Sequence, residues 1–322
     1  MEQGDGLNLA AQSVFESMVQ QSQQLRIQPL KLPCGARLLD CGVHVPGGVE
    51  AGLQLASICL ANQAKLQIVS GPRDVWAGPW VQIASDHPRQ ACMMGQYAGW
   101  PVKFTDFFAM GSGPMRILRG KEELLLSLAA ADSSSVAVGT LECDELPTDS
   151  VALAIAEECA VPAASLCLAV APTRSLAGCV QVVARSVETA LHKLHELGFD
   201  LGCVQSALGI APLPPPSPDF VAGIGRTNDA ILYGGHVSLW VAGADEQIAS
   251  VGALIPSCNS RDFGQPFAKI FKNYNCDFYK VDPGLFSPAQ VSIMNLATGR
   301  SWQFGSMRGD LLQQSFGTVV SN

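Results

Sequence analysis

Apolar residues recur at helical spacing in two stretches near the start of the chain. Val14, Phe15 and Met18 fall on one face of residues 8–25, whose other positions are rich in glutamine, and this spacing predicts an amphipathic helix. The same kind of spacing predicts a second helix over residues 50–64. Each helix would bury one face and leave the other in water.

Short, mostly apolar runs elsewhere in the chain predict strands. They are residues 36–41, 66–69, 80–84, 136–141, 166–170, 230–233 and 237–241. Residues 148–159 predict another helix, and residues 290–295 and 301–304 flank a turn that predicts a β-hairpin. The alternation of short strands with helices is typical of an α/β fold.

A proline-rich segment interrupts this alternation. Residues 212–218 hold five prolines in seven positions, so they cannot continue a helix or a central strand. We predict a stiff, extended linker over residues 211–219, between a larger α/β domain (residues 1–210) and a smaller one (residues 220–322). The alternative is a rigid surface loop within one domain, and the C-terminal hairpin could return to the first domain.

Composition narrows the class of protein. Of the 322 residues, 48% are hydrophobic and 15% are charged, and the net charge is −8. This composition excludes disorder, and the negative net charge argues against a broad basic face that would bind nucleic acid. No uninterrupted apolar run reaches the roughly 20 residues of a membrane span, and the first residues lack the basic and apolar regions of a signal peptide. We therefore expect a cytoplasmic protein with no membrane partner.

Cysteine spacing gives no sign of a structural metal site. The chain has 11 cysteines, and no two are close enough to form a C-x-x-C pair. We expect them to be small buried side chains with free thiols in a reducing compartment.

Arg185, Glu188, His192 and His195 share one side of a predicted helix that ends near Gly198. Three interpretations remain open from this pattern. The residues could form a solvated face with an ordinary ion pair, or Glu188, His192 and His195 could bind a metal. The third possibility is a catalytic Arg/Glu pair that lines a cleft, with the glutamate as a base.

Two further segments could bind a ligand. Residues 109–116 could present backbone N–H groups and Arg116 to an anion, with Pro114 at the start of a helix, although a simple turn is the alternative. Tyr97 and Trp100 could form a stacking wall for a planar ligand, although core packing explains such aromatics equally well.

Several segments, taken in their order along the chain, closely resemble those of the methenyltetrahydromethanopterin cyclohydrolase family, and of its methylotrophic-bacterial form most of all. The segments are Asp40-Cys41-Gly42, Glu50-Ala51-Gly52, Gln96-Tyr97-Ala98-Gly99-Trp100, Phe108-Ala109-Met110-Gly111-Ser112-Gly113-Pro114, Ala171-Pro172-Thr173, Gly225-Arg226-Thr227-Asn228-Asp229-Ala230, Tyr233-Gly234-Gly235, Gly264-Gln265-Pro266-Phe267, Asp277-Phe278-Tyr279-Lys280 and Phe286-Ser287-Pro288-Ala289. The resemblance extends from about Leu9 to Phe316.

The resemblance implies an architecture and a reaction. It implies two α/β domains with a deep cleft between them, assembled as a homotrimer. The family converts N5,N10-methenyl-tetrahydromethanopterin reversibly to N5-formyl-tetrahydromethanopterin, in one-carbon metabolism and formaldehyde oxidation, without a metal or redox cofactor. The partner would thus be a pterin one-carbon carrier and not a nucleic acid.

The resemblance also implies roles for single residues. The family's catalytic Arg and Glu, three residues apart, correspond to Arg185 and Glu188. Glu188 would be the general base that later carries the proton to N10, and Arg185 would position it and tune its acidity. His192 and His195 would then be structural or line the cleft.

Binding residues follow from the matching segments. The candidate substrate-binding residues are Tyr97, Trp100, Gly111, Ser112, Gly113, Gln181, Arg226, Asn228, Asp229 and Lys280. Two rival hypotheses are a non-catalytic pterin-binding paralogue and a metal-dependent amidohydrolase that uses Glu188, His192 and His195.

Overall fold

The computed structural model describes residues 6–317, which form helices and strands in alternation. The α-helices are α1 (Leu7–Gln20), α2 (Ser22–Leu25), α3 (Val49–Cys59), α4 (Met115–Arg119), α5 (Glu123–Ser127), α6 (Asp149–Glu158), α7 (Leu176–Val183), α8 (Ser186–Glu196), α9 (Phe220–Gly234), α10 (Asp245–Gly252), α11 (Phe267–Asn273) and α12 (Gly309–Phe316). The strands are β1 (Gln28–Lys31), β2 (Arg37–Asp40), β3 (Lys65–Ser70), β4 (Pro79–Ser85), β5 (Trp100–Phe104), β6 (Phe107–Ser112), β7 (Ala137–Glu142), β8 (Leu166–Ala171), β9 (Val204–Pro212), β10 (His236–Val241), β11 (Gln290–Asn295) and β12 (Ser301–Gly305). A π-helix spans Arg89–Gln96.

The chain divides into two compact units, each with its own six-stranded mixed sheet. Within the described residues, the first unit comprises 6–65 together with Gln90–Gln181, and the second comprises Leu66–Arg89 together with 182–317. These two units confirm the predicted fold class of two α/β domains.

The first unit has the strand order β1-β2-β8-β7-β6-β5, in which β2, β8 and β7 run parallel. Its sheet is covered on both faces, as parallel strands require. Leu38 belongs to an apolar cluster that includes residues of α6, whereas its neighbour Leu39 belongs to a second cluster with residues of α1 and α3. Alternate residues of β2 therefore hold helices against opposite faces of the sheet.

The second unit has the strand order β12-β11-β10-β9-β4-β3. Strands β10 and β11 run parallel, whereas the pairs β11–β12, β9–β10 and β4–β9 are antiparallel. Helices α8 and α9 pack on β9, and α11 and α12 pack on α9. The predicted hairpin is confirmed as β11 and β12, and it belongs to this unit.

The proline-rich segment lies inside the second unit, which differs from the linker predicted for residues 211–219. Pro212 is the last residue of β9, where it pairs with Trp80 of β4, and the amide of Leu213 donates to the carbonyl of Pro79 over 2.9 Å. The chain passes between the units at 65/66, 89/90 and 181/182 instead. Proline is tolerated at this point because Pro212 is the last residue of the strand.

Most predicted strands are confirmed within one or two residues, but the strand predicted at 230–233 is wrong. These residues are the end of α9, a helix of 15 residues whose first turn is capped by the Asp219 side chain, which accepts from the amide of Ala222. A short apolar run has no period of its own, so the length and the N-terminal cap of the helix decide the structure.

Three predicted helices are shorter or interrupted. The helix predicted at 8–25 breaks at Gln21, and the helix predicted at 50–64 ends at Cys59, after which Ala61 and Asn62 adopt left-handed conformations. The predicted helix that carries Arg185 is divided between α7 and α8. None of the helices within residues 6–317 has the length and apolar character needed to cross a membrane.

Candidate active site

Arg185 occupies the N-cap position of α8. Its backbone has φ −85° and ψ 7°, its amide donates to the carbonyl of Val182, and its carbonyl accepts from the amide of Thr189. The sequence predicted one continuous helix through this residue, and the structure corrects this with a break between α7 and α8. Arg185 therefore immediately precedes the helix that carries Glu188.

An arginine is an unexpected residue for this position. N-caps favour Ser, Thr, Asp or Asn, whose side chains accept from the first amides of the helix, and Arg185 makes no such cap. A cation also lies unfavourably at the positive end of the helix dipole, by about 0.3–1 kcal/mol at exposed sites. Local helix stability thus does not account for Arg185, which is typical of a functional position.

Glu188 lies in the first turn of α8, where an acidic side chain interacts favourably with the positive end of the helix dipole. Arg185 and Glu188 are each only 6% exposed. Because burying an ionised group is costly unless compensating partners are present, two opposite charges so close in sequence suit a built site better than a solvated surface.

A glycine of β9 sets how closely the start of α8 approaches the sheet. A Cβ atom at Gly209 would overlap the Oγ of Ser186 and lie 2.9 Å from Cγ2 of Val187. Ser186 is fully buried, and its hydroxyl has no hydrogen-bond partner within residues 6–317. Gly209 was missed by the sequence analysis, although an isolated glycine inside a strand pattern is a known signal of close approach.

The end of α8 confirms the predicted role of Gly198. Its φ is +75°, its amide donates to the carbonyl of His195, and the amide of Phe199 donates to the carbonyl of Leu194. This pair of bonds is the Schellman motif, in which glycine is favoured because the left-handed conformation costs it little. Both ends of the helix that carries Glu188 are thus defined by local interactions.

The two histidines of α8 are partly buried and do not assemble a metal site. Burial lowers the pKa of His192, whose Nδ1 lies 3.9 Å from Oε1 of Glu196. Across the described part of the chain, no group of three or more His, Cys, Asp or Glu side chains is arranged to hold a metal ion. The Glu188, His192 and His195 set weighed from the sequence is therefore not such a group.

A buried polar cluster, formed by Cys59, Ser112, Thr140 and Gln181, lies in the first unit. The Sγ of Cys59 is 3.3 Å from Oγ of Ser112 and 3.0 Å from Oγ1 of Thr140, and these two hydroxyls are 2.8 Å apart. The Nε2 of Gln181 donates to the same Sγ over 3.3 Å. Four elements of this unit, α3, β6, β7 and α7, therefore converge on one thiol.

Gln181 carries an unused acceptor. Its Nε2 also lies 3.4 Å from Oε1 of Glu142, while its Oε1 is buried and has no partner among the described residues. Gln181 is 2% exposed. A buried amide oxygen without a donor costs about 1–3 kcal/mol, so it marks a place where a ligand could supply an N–H group.

The glycine segment predicted as an anion-binding loop is largely a strand. Gly111 and Ser112 belong to β6, and the amide of Gly113 donates to the carbonyl of Gly95 over 2.9 Å. Pro114 is the N-cap of α4 rather than its first residue. Because β6 pairs with β5 and β7, the main chain of this segment is used within the sheet.

Arg116, expected to face an anion, is instead fully buried and paired with Glu122. Its Nε donates to Oε1 of Glu122 over 2.8 Å, and a second ion-pair contact joins Nη2 and Oε2. Tyr97 lies under this guanidinium, with 5.3 Å between Cζ and the ring centroid. Trp100 is 2% exposed, lies in the apolar core and is covered by Arg119. These contacts give both aromatics structural partners, and their predicted stacking role stays a prediction.

The remaining predicted binding residues lie in the second unit and also have local partners. Arg226 donates to main-chain carbonyls, Asn228 donates to the carbonyl of Ile224, and Lys280 lies 3.6 Å from Oδ2 of Asp277. Asp229 accepts from the amide of Phe267, and its complete burial raises the pKa of the carboxyl to about 7. The binding roles of these four residues stay predictions.

Residues 6–316 match the family described as Cyclohydrolase (MCH). Three similar proteins are named methenyltetrahydromethanopterin cyclohydrolase. They are those of Rhodopirellula baltica, 52% identical over 97% of this chain and 95% of the relative, Methylobacillus flagellatus, 44% identical over 97% and 95%, and Methanosarcina barkeri, 40% identical over 97% and 98%. With this identity over nearly its whole length, the chain belongs to the methenyltetrahydromethanopterin cyclohydrolase family.

Proposed function

We propose that this protein hydrolyses the N5,N10-methenyl-tetrahydromethanopterin cation to N5-formyl-tetrahydromethanopterin, reversibly, in one-carbon metabolism. Three relatives named for this activity match this chain over at least 95% of their own length. The observation in this chain that carries the proposal is the buried pair of Arg185 and Glu188 at the start of α8.

Glu188 is the general base of the proposed reaction. Its carboxylate takes one proton from a water whose oxygen bonds to the carbon between N5 and N10, which gives a neutral hydroxyl adduct. The protonated Glu188 then donates to N10, the bond between carbon and N10 breaks, and the adduct hydroxyl releases its proton to water. The products are the N5-formyl group, the N10 amine and one proton, so atoms and charge balance.

Arg185 positions the glutamate and the water in this proposal. Its guanidinium stays protonated at any pH of interest and offers up to five N–H donors in a fixed plane. The charge of the substrate also favours an ionised Glu188, because an opposite charge nearby stabilises the carboxylate. The proposed chemistry needs no covalent intermediate, metal or redox cofactor.

Gln181 is the binding residue with the best support. Its free Oε1 can accept an N–H of the pterin, while Nε2 is held by Cys59 and Glu142. The buried polar cluster would thus keep the amide in one orientation. The other predicted binding residues remain part of the proposal without comparable support.

Loss of methenyl-pterin absorbance with the purified protein tests the proposed function. We expect turnover with the methanopterin substrate, slower turnover with the folate analogue and no change after treatment with a chelator. A folded protein that binds the substrate without turnover would support the non-catalytic alternative. Activity abolished by chelation and restored by zinc would instead support a metal-dependent amidohydrolase.

A further inference from the structure

A cavity of about 450 Å³ opens in the second unit, among α9, α11 and α12. Its polar lining residues are Arg226, Lys269, Lys272, Asn273, Gln314 and Ser315. Three of the six are cations, the other three are neutral, and the lining includes no Asp or Glu. The concentration of positive charge is unusual in a chain whose net charge is −8.

Arg226 is held in place by main-chain carbonyls that do not neutralise its charge. Its Nη1 donates to the carbonyls of Pro215 and Pro216 over 3.2 and 2.8 Å, and its Nε donates to the carbonyl of Ser315 over 3.3 Å. The proline-rich segment and the end of α12 therefore fix the guanidinium at the cavity. No hydrogen bond from Nη2 is found within residues 6–317, so this nitrogen keeps donors for a ligand.

Lys269 and Lys272 add two positive charges from α11. They are three residues apart, so their side chains lie on the same side of the helix and repel each other by about 0.2–0.5 kcal/mol. Both are exposed, and neither forms an ion pair with an acidic side chain in the described part of the chain. An anion in the cavity would remove this repulsion.

We propose that this cavity binds an organic anion that carries at least two carboxylate or phosphate groups. Its volume is within the range of small-molecule sites, roughly 300–1,000 Å³, and its three cations suit a multiply charged ligand. Asn273 and Gln314 supply neutral hydrogen-bonding groups for the rest of the ligand. The anion could be the acidic portion of the reaction's own substrate or a separate small molecule, and the proposal does not depend on the proposed hydrolysis.

Calorimetric titration with inorganic pyrophosphate at low salt tests binding without any activity assay. We compare the natural protein with the double variant Lys269→Gln/Lys272→Gln and with the control Lys31→Gln/Lys65→Gln, which removes the same charge from two exposed strand residues. Glutamine keeps helix propensity in α11, and Lys31 and Lys65 are exposed, so both variants should melt near the natural temperature. We expect the cavity variant to bind about tenfold or more weakly and the control to bind nearly as well as the natural protein.

Failure of pyrophosphate to bind the natural protein, or equal weakening in both variants, would overturn the proposal. The source of the anion follows from kinetics with the methenyl substrate. Competition by pyrophosphate and a raised KM in the cavity variant identify the ligand as part of the substrate. Binding of pyrophosphate with an unchanged KM identifies a separate molecule, and both outcomes support the anion site.

Discussion

Arg185 and Glu188 place two opposite charges at the almost fully buried start of one helix. The dipole of α8 favours an acidic residue in the first turn but disfavours a cation at the N-cap. Helix stability therefore does not account for Arg185. The arrangement instead places a buried acidic residue three positions after an arginine, whose guanidinium keeps its charge. These are the properties that the proposed mechanism requires of a base and of the residue that positions it.

Asp229 offers a test of a single buried charge. Burial raises the pKa of Asp229 to about 7, whereas the pKa of an aspartate in an unfolded chain is about 3.9. Between these two pH values the folded protein keeps a proton on Asp229 that the unfolded chain has lost. The stability that this protonated carboxyl gives is fully present below about pH 4 and is lost as pH rises to about 7. The three-unit difference corresponds to an upper limit of about 4 kcal/mol.

Asp229→Asn removes this titration while the side-chain oxygen can still accept from the amide of Phe267. We expect the free energy of unfolding of the variant, measured with urea between pH 4 and 8, to fall less over that range than that of the natural protein. The paired measurement at each pH cancels the contribution of the other titrating groups. Parallel pH curves for the two proteins would show that Asp229 does not titrate in this range.

The spacing of apolar residues predicted most strands and helices because each must bury one face, and this requirement is local. The break at Arg185 was not predictable from apolar spacing, because Val183 and Val187 keep helical spacing across it. The partner of Arg116 was equally inaccessible, because a buried arginine next to a glycine segment looks the same in sequence whether it binds Glu122 or an anion. Pairings of this kind depend on tertiary contacts.

The approach of α8 to β9 predicts a measurable effect of one methyl group. Gly209→Ala would push against Ser186 and Val187, and we expect a loss of about 1–3 kcal/mol in the free energy of unfolding together with a lower kcat. Urea unfolding and steady-state kinetics measure the two effects. The displacement of α8 carries Glu188 with it, which is why kcat should respond.

Ser186→Ala provides the matched control for this change. Its hydroxyl is buried without a partner, so its removal should leave stability unchanged or slightly higher, and the double variant should recover part of the loss. Equal losses in Gly209→Ala with and without Ser186→Ala would contradict the close contact.

The molecule as a whole is rich in apolar residues and poor in charge, with 48% hydrophobic and 15% charged residues against a usual charged share of about 25%. Two separate sheets account for much of this excess, since each buries apolar residues of its own. The resemblance to the family adds a homotrimer to the proposal, and an interface of that kind would bury more apolar area.

Light scattering during gel filtration measures the assembly. We expect a mass of about three times the 34.0 kDa of the chain, maintained on dilution because obligate interfaces are large and apolar. A mass of one chain at all concentrations tested would show that the trimer does not form, without bearing on the proposed chemistry.

Turnover of the methenyl substrate by Glu188→Gln decides whether this glutamate is the base. The amide keeps the size of the side chain but cannot take a proton, so kcat should fall by at least about a hundredfold while the protein stays folded and still binds the substrate. His195→Gln, a change on the same helix at a residue without a proposed catalytic role, serves as the control and should retain most of the activity. Turnover of folded Glu188→Gln at the rate of the natural protein would contradict the assignment of Glu188 as the base.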